Sequence, residues 1–85
     1  MSATSPKRLT LLYFASLAEC AGKDEEVIEF AGNDPTELYQ QLNQRYAFDL
    51  AQHRLAIAIN HVIANWHTPL QDGDIVAFIP PVAGG

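Results

Sequence analysis

Eighty-five residues with ten Asp and Glu against five Lys and Arg give a formal net charge of −5, which excludes the basic surface that a nucleic-acid binder needs and favours partners with a basic face. Hydrophobic residues at 48% and charged residues at 18% describe a folded globular chain, long enough for one domain that buries roughly 60% of its unfolded surface. Cys20 is the only cysteine, so there is no internal disulfide and a reducing compartment is the natural setting.

Residues 1–8 read as a polar leader, and Leu9 to Phe14 as a strand of branched and aromatic residues. Lys7-Arg8 ahead of this apolar run has the outline of a secretory signal, but Thr10 and Tyr13 interrupt the run and Glu19 sits beside the only plausible cleavage point. No stretch approaches the roughly 20 apolar residues that span a membrane, so a cytoplasmic protein without membrane attachment is expected. Ala15 to Ala21 predicts a short helical turn, closed by Gly22 in a left-handed cap. Cys20 has no neighbouring His or Cys to activate it as a persulfide carrier, and reads as a small buried hydrophobe.

Lys23-Asp24-Glu25-Glu26 is expected to be a solvated turn leading to a second strand, Val27 to Phe30, in an antiparallel hairpin with the first. Its carboxylates lack the enclosing cage of a metal site. Asp34-Pro35-Thr36-Glu37 combines a capping acid, proline at the first helical position and Glu at the third, which predicts a helix start. Leu38, Leu42 and Tyr46, four apart, give that helix one apolar stripe, leaving Gln40, Gln41, Gln44 and Arg45 largely wet. Leu55 to Ile59 predicts a third strand, Asn60-His61 a tight turn, and Val62 to Ala64 a short fourth strand. Asp72-Gly73-Asp74 is a further turn, feeding the last strand, Ile75 to Ile79. This order suits an α+β fold in which a mixed sheet packs on one main helix, the ubiquitin-like β-grasp, spanning residues 9–79.

In the last strand Ile75, Ala77 and Ile79 point one way and Val76 and Phe78 the other, so both faces are apolar while only one main helix exists to cover them. Unless loops cover it, the other face is therefore expected to dock a partner, with Phe14 and Ile79 as anchors. Beyond Ile79 the prolines of Pro80-Pro81-Val82-Ala83-Gly84-Gly85 have no N–H to continue the sheet, so an extended arm is expected to leave the domain. At about 3.1 Å per residue, six residues reach roughly 19 Å, far enough to enter a neighbouring active site. Gly84 and Gly85 let the arm thread a channel only as wide as a backbone, and the reactive group would be the α-carboxylate of Gly85. His53, His61 and His67 show no metal-ligand spacing, Trp66 reads as a packing residue, and no phosphate-binding loop or catalytic triad is present, so catalysis by this chain alone is not expected.

Tyr13-Phe14-Ala15-Ser16-Leu17 with Glu19, the turn Ala21-Gly22-Lys23-Asp24-Glu25, Ala58-Ile59-Asn60, and Thr68-Pro69-Leu70-Gln71-Asp72-Gly73-Asp74 running into Val76 to Gly85 resemble the small sulfur-carrier subunits of molybdopterin synthase, of the ThiS/MoaD ubiquitin-like family. The similarity covers residue 9 to the end, and departs at Ala18, His61 and Ile75. The resemblance implies that Gly85 is adenylated by a ubiquitin-activating-like ATP enzyme, becomes a thiocarboxylate with sulfur from a donor protein, and delivers that sulfur to a cyclic pyranopterin precursor inside the large synthase subunit, in a heterotetramer. It also implies that Ile63 lies on the partner contact with Phe14, Ile79, Pro80, Pro81, Val82 and Ala83, and that the chain binds no cofactor of its own. A sulfur carrier for thiamine thiazole, a lysine-conjugated ubiquitin-like modifier and a plain binding module are the alternative readings; the thiazole carriers are characteristically shorter and usually lack the paired prolines.

Overall fold

The computed structural model describes residues 6–48 and 50–81; Val82, Ala83, Gly84 and Gly85, where the predicted chemistry resides, lie outside the described residues. In chain order the elements are β1 (Lys7–Tyr13), α1 (Ser16–Ala21), β2 (Glu25–Phe30), α2 (Pro35–Tyr46), a 3-10 turn (Gln52–Arg54), β3 (Ala56–Ile59), β4 (Val62–Ala64) and β5 (Ile75–Ile79). The strands form one mixed sheet in the order β2-β1-β5-β3-β4, with β1 and β5 parallel and the other neighbours antiparallel.

Local chemistry accounts for most of these boundaries. Asp34 caps α2 by accepting the Glu37 backbone N–H at 3.0 Å, Glu37 in turn accepts the Asn33 N–H at 2.6 Å, and Pro35 opens the helix where no N–H is needed. Asn60 and His61 both adopt left-handed backbone angles, φ 54° and 72°, the mirror-image turn that matches the twist of a tight hairpin between β3 and β4. Asn60 also ties this turn to the start of β5: its side-chain amide donates to Asp74 at 2.9 Å and its carbonyl accepts the Ile75 N–H at 2.9 Å. Arg8 N–H bonds Asp72 and the Gly73 N–H bonds the Arg8 carbonyl, so the loop before β5 is pinned to β1.

The core lies between the sheet and α2. Leu9, Leu11 and Tyr13 of β1, Val76 and Phe78 of β5 and Leu38, Tyr39 and Leu42 of α2 are all buried in one cluster with Leu17 and Ala21 of α1. Tyr39 stacks on Phe48 with centroids 5.5 Å apart and meets Phe78 at 5.7 Å, so the apolar face of α2 is wider than the stripe of Leu38, Leu42 and Tyr46 read from the sequence. Trp66 packs over Tyr39 and Phe78 at the sheet end, as expected.

Several expectations are corrected. β2 begins at Glu25, because Glu25 and Glu26 pair with Leu12 and Leu11 and are strand residues, not a solvated turn. β1 begins at Lys7 and β3 at Ala56. Cys20 is exposed: α1 turns Leu17 and Ala21 toward the core, and Cys20, one residue short of Ala21, falls outside that buried stripe.

Candidate functional site

β5 is the last element of the described chain, and its placement decides what surrounds Pro80 and Pro81. Val76 and Phe78 are fully buried and hold the strand to the core, and pairing ends at Ile79, immediately before Pro80 and Pro81. Ile75, Ala77 and Ile79 face the opposite side. Strand register lines up Leu12, Ala77, Ala58 and Ile63 in one rank across β1, β5, β3 and β4. Ile79 opposes Ala56 in the next rank, where Phe14 continues the β1 alternation one residue past the Tyr13–Phe78 pair. Both helices bury their apolar residues in the cluster on the other side of the sheet, so neither covers this face.

The result is an apolar strip with small alanines along its middle and large side chains at its ends: Phe14 is 47% exposed and Ile63 67%. Phe14 reaches this position because Ala15 turns the chain sharply, with φ 54° and ψ −127°, a conformation costly for a residue with a Cβ. The structure thus brings Phe14, Ile63 and Ile79 to one side of the molecule, with Pro80 and Pro81 following directly on Ile79. Among the described residues no group of His, Cys, Asp and Glu is arranged to hold a metal ion, and His53, His61 and His67 are all exposed.

One polar constellation escaped the sequence reading. Glu26 points to the core side of β2, where its carboxylate accepts the Tyr13 hydroxyl at 2.6 Å and the Tyr46 hydroxyl at 2.8 Å, with the Lys23 ammonium at 3.4 Å. Burial alone would push the Glu26 carboxyl up, but the two hydroxyls and Lys23 together hold it below the ordinary carboxylate range. Burial, reinforced by Glu26, pushes the Tyr13 phenol well above its usual value, so Tyr13 stays a donor. The cluster joins β1, β2 and α2 on the side away from the apolar strip. The signal that would have found it is the alternation Glu26, Ile28, Phe30, which places all three on one face once β2 starts at Glu25.

The sequence model of the ThiS family matches residues 11–85. The molybdopterin synthase sulfur carrier subunit of Mycobacterium tuberculosis is 43% identical over 82 residues, covering 92% of this chain and 98% of that protein. The corresponding subunit of Escherichia coli is 38% identical, covering 91% and 99%. Among solved structures, a chain in the complex of subunits 1 and 2 of molybdopterin-converting factor from Helicobacter pylori superimposes with a TM-score of 0.64 at 29% identity, covering 92% of this chain and 99% of that one. Small archaeal modifier protein 1 from Methanosarcina acetivorans gives a TM-score of 0.75 at 23% identity over 94% of this chain and 98% of its own, a likeness of fold.

Proposed function

The chain belongs to the ThiS family, with a ubiquitin-like β-grasp fold, and from that premise we propose that it is the sulfur carrier of a molybdopterin synthase, acting through the carboxylate of Gly85. A carboxylate is a poor electrophile. Attack of its oxygen on the α-phosphorus of ATP, with loss of pyrophosphate, makes an acyl adenylate whose AMP is a good leaving group. A sulfur nucleophile at the oxidation level of sulfide displaces AMP and leaves a terminal thiocarboxylate. That soft nucleophile attacks a carbon of the pyranopterin precursor and displaces an oxygen leaving group from it, and water then cleaves the acyl–sulfur bond, leaving the sulfur on the precursor and returning Gly85 to a carboxylate for another cycle.

The chain has no nucleotide loop in its sequence, so a partner enzyme related to ubiquitin activators performs the adenylation, and a donor protein supplies the sulfur. The large synthase subunit receives the arm and houses the precursor, in a heterotetramer. In this reading the chain is a non-catalytic subunit in the cytoplasm, with no resident cofactor. Phe14, Ile63 and Ile79 contact the large subunit, while Pro80, Pro81, Val82 and Ala83 line the route and Gly84 and Gly85 thread its channel.

The observation that carries the reading is the contiguity of the uncovered apolar strip with the end of β5: a docking face ending where the arm begins sets the depth of insertion of the terminus. The test is intact mass after incubation with ATP, the activating enzyme and a sulfur source. One oxygen-to-sulfur exchange on the C-terminal peptide is expected; sulfur mapping to Cys20 would overturn the tail chemistry. Lysine-linked adducts in extract in place of the exchange would select the modifier reading.

A further inference from the structure

A second open surface lies at the other end of the sheet. β2 is the terminal strand in the order β2-β1-β5-β3-β4, so among the described residues one of its backbone edges meets no other strand. Proteins usually block such edges with a bulge, a proline, an inward or edge lysine, or by keeping the strand very short. β2 has no bulge or proline and is not short; the device it does carry is negative charge, with Glu26 facing inward and Glu25 and Glu29 outward, which opposes an acidic strand and admits a basic one. All six residues from Glu25 to Phe30 pair with β1 in unbroken register, and the strand contains neither proline nor lysine. Val27, at its middle, is 57% exposed. Beside the edge a cleft of about 240 Å³ separates β2 from α2, lined by Ile28, Glu29, Gln41, Leu42 and Arg45 among others.

The charges around this edge select what it accepts. Glu25 and Glu29 lie two positions either side of Val27 on the same sheet face; Glu25 faces Leu12 across the β1 pairing and Glu29 faces Arg8, and neither glutamate makes an ion pair among the described residues, which leaves Glu25 the stronger selector of a cation. Glu26 alternates to the opposite face and is already engaged by Tyr13, Tyr46 and Lys23. A second copy of this chain is disfavoured, because antiparallel pairing of two β2 edges sets Glu25 against Glu29 twice, between molecules of net charge −5.

We propose that the β2 edge docks a basic extended segment of a partner protein, which joins the sheet as a sixth strand beside β2. Backbone hydrogen bonds to the open edge supply the affinity, and alternate side chains supply the selection. Opposite Glu25, Val27 and Glu29 the incoming strand presents Lys or Arg, an apolar residue, and Lys or Arg again. Its intervening residues face the cleft and are small or polar, since Arg45 disfavours further positive charge there. β2 is separated from β5 by β1, so this docking leaves the end of β5 free and operates whether or not the tail carries sulfur.

The test titrates the isotopically labelled full chain with a blocked heptapeptide that alternates threonine with lysine, valine and lysine. Two control peptides carry glutamate in place of lysine, or N-methyl groups on the amides of one strand edge, which keep the charge and remove the donors. Amide shifts centred on residues 25–30 are expected, with at least tenfold weaker binding by either control. The Glu25→Lys, Glu29→Lys double variant should lose affinity for the lysine peptide by a similar factor and gain affinity for the glutamate peptide. Absence of shifts in β2 at millimolar peptide, or shifts centred on Leu12, Ala77 and Ile63, overturns the proposal. So does equal binding by the N-methylated peptide, which would mean charge attraction without strand addition; this arm uses the native chain and stands even if the double variant does not fold.

Discussion

Replacing Glu26 with Gln should weaken the fold by about 2 kcal/mol at pH 7 and by much less at pH 3. Two hydroxyl donors, Tyr13 at 2.6 Å and Tyr46 at 2.8 Å, converge on one carboxylate oxygen. A hydrogen bond to a charged acceptor contributes about 1.5–3 kcal/mol and to a neutral one about 0.5–1.5, so exchanging carboxylate for amide costs roughly 1 kcal/mol per bond. Lys23 adds little, being exposed and screened by solvent. The folded state holds the Glu26 carboxyl below its ordinary range, so its ionisation contributes stability above the unfolded value near 4.3 and loses it as pH falls through the folded one. Below that point the native residue is itself a neutral acid, close in shape to Gln, and the two chains converge. Glu26→Ala should cost more at every pH, because the Tyr13 hydroxyl, on a side chain 2% exposed, is left without its acceptor. Urea unfolding followed by Trp66 fluorescence at both pH values measures the gap. The comparison is between two chains that differ at one residue; a Gln variant as stable as the native chain at pH 7, or a gap that does not narrow in acid, would refute the reasoning.

Ile63→Ala removes a side chain that is 67% exposed, so unfolding should shift by less than about 0.5 kcal/mol. Calorimetric titration with the large subunit should nevertheless lose about 1–2 kcal/mol, roughly five- to thirtyfold in Kd, and Phe14→Asp or Ile79→Asp should lose more by placing a charge in a desolvated contact. Gly84→Val should fold normally yet fail in sulfur transfer with the large subunit, because a branched side chain cannot pass a backbone-wide channel; normal product formation would sink the threading argument. One alanine added after Gly85 should leave affinity for the large subunit within about tenfold. It moves the carboxylate by about 3.3 Å, when reacting atoms must come within roughly 3.5 Å, so ATP–pyrophosphate exchange by the activating enzyme should collapse. Equal exchange by both chains would remove the requirement for an exact terminus.

The sequence by itself determined whatever a few neighbouring residues decide. The Asp34-Pro35 start of α2, the left-handed Asn60-His61 turn, the cap at Gly22 and the end of β5 before Pro80 all stand where the residues placed them, because capping, turn angles and a missing N–H act within one or two peptide units. The two apolar faces of β5 also followed from alternation. Only the tertiary structure decided what those faces meet. The rank of Leu12, Ala77, Ala58 and Ile63 draws on four strands, and its alignment depends on register between segments as far apart in sequence as Leu12 and Ala77. Glu25 and Glu26 looked like a wet turn because their charge outweighs any local strand signal; pairing with Leu12 and Leu11, and the hydroxyls of Tyr13 and Tyr46, override it. Cys20 failed for the same reason in reverse: its residue type favours burial, but the direction of α1 is set by Leu17 and Ala21 docking into the core, and that rotation leaves the thiol in solvent.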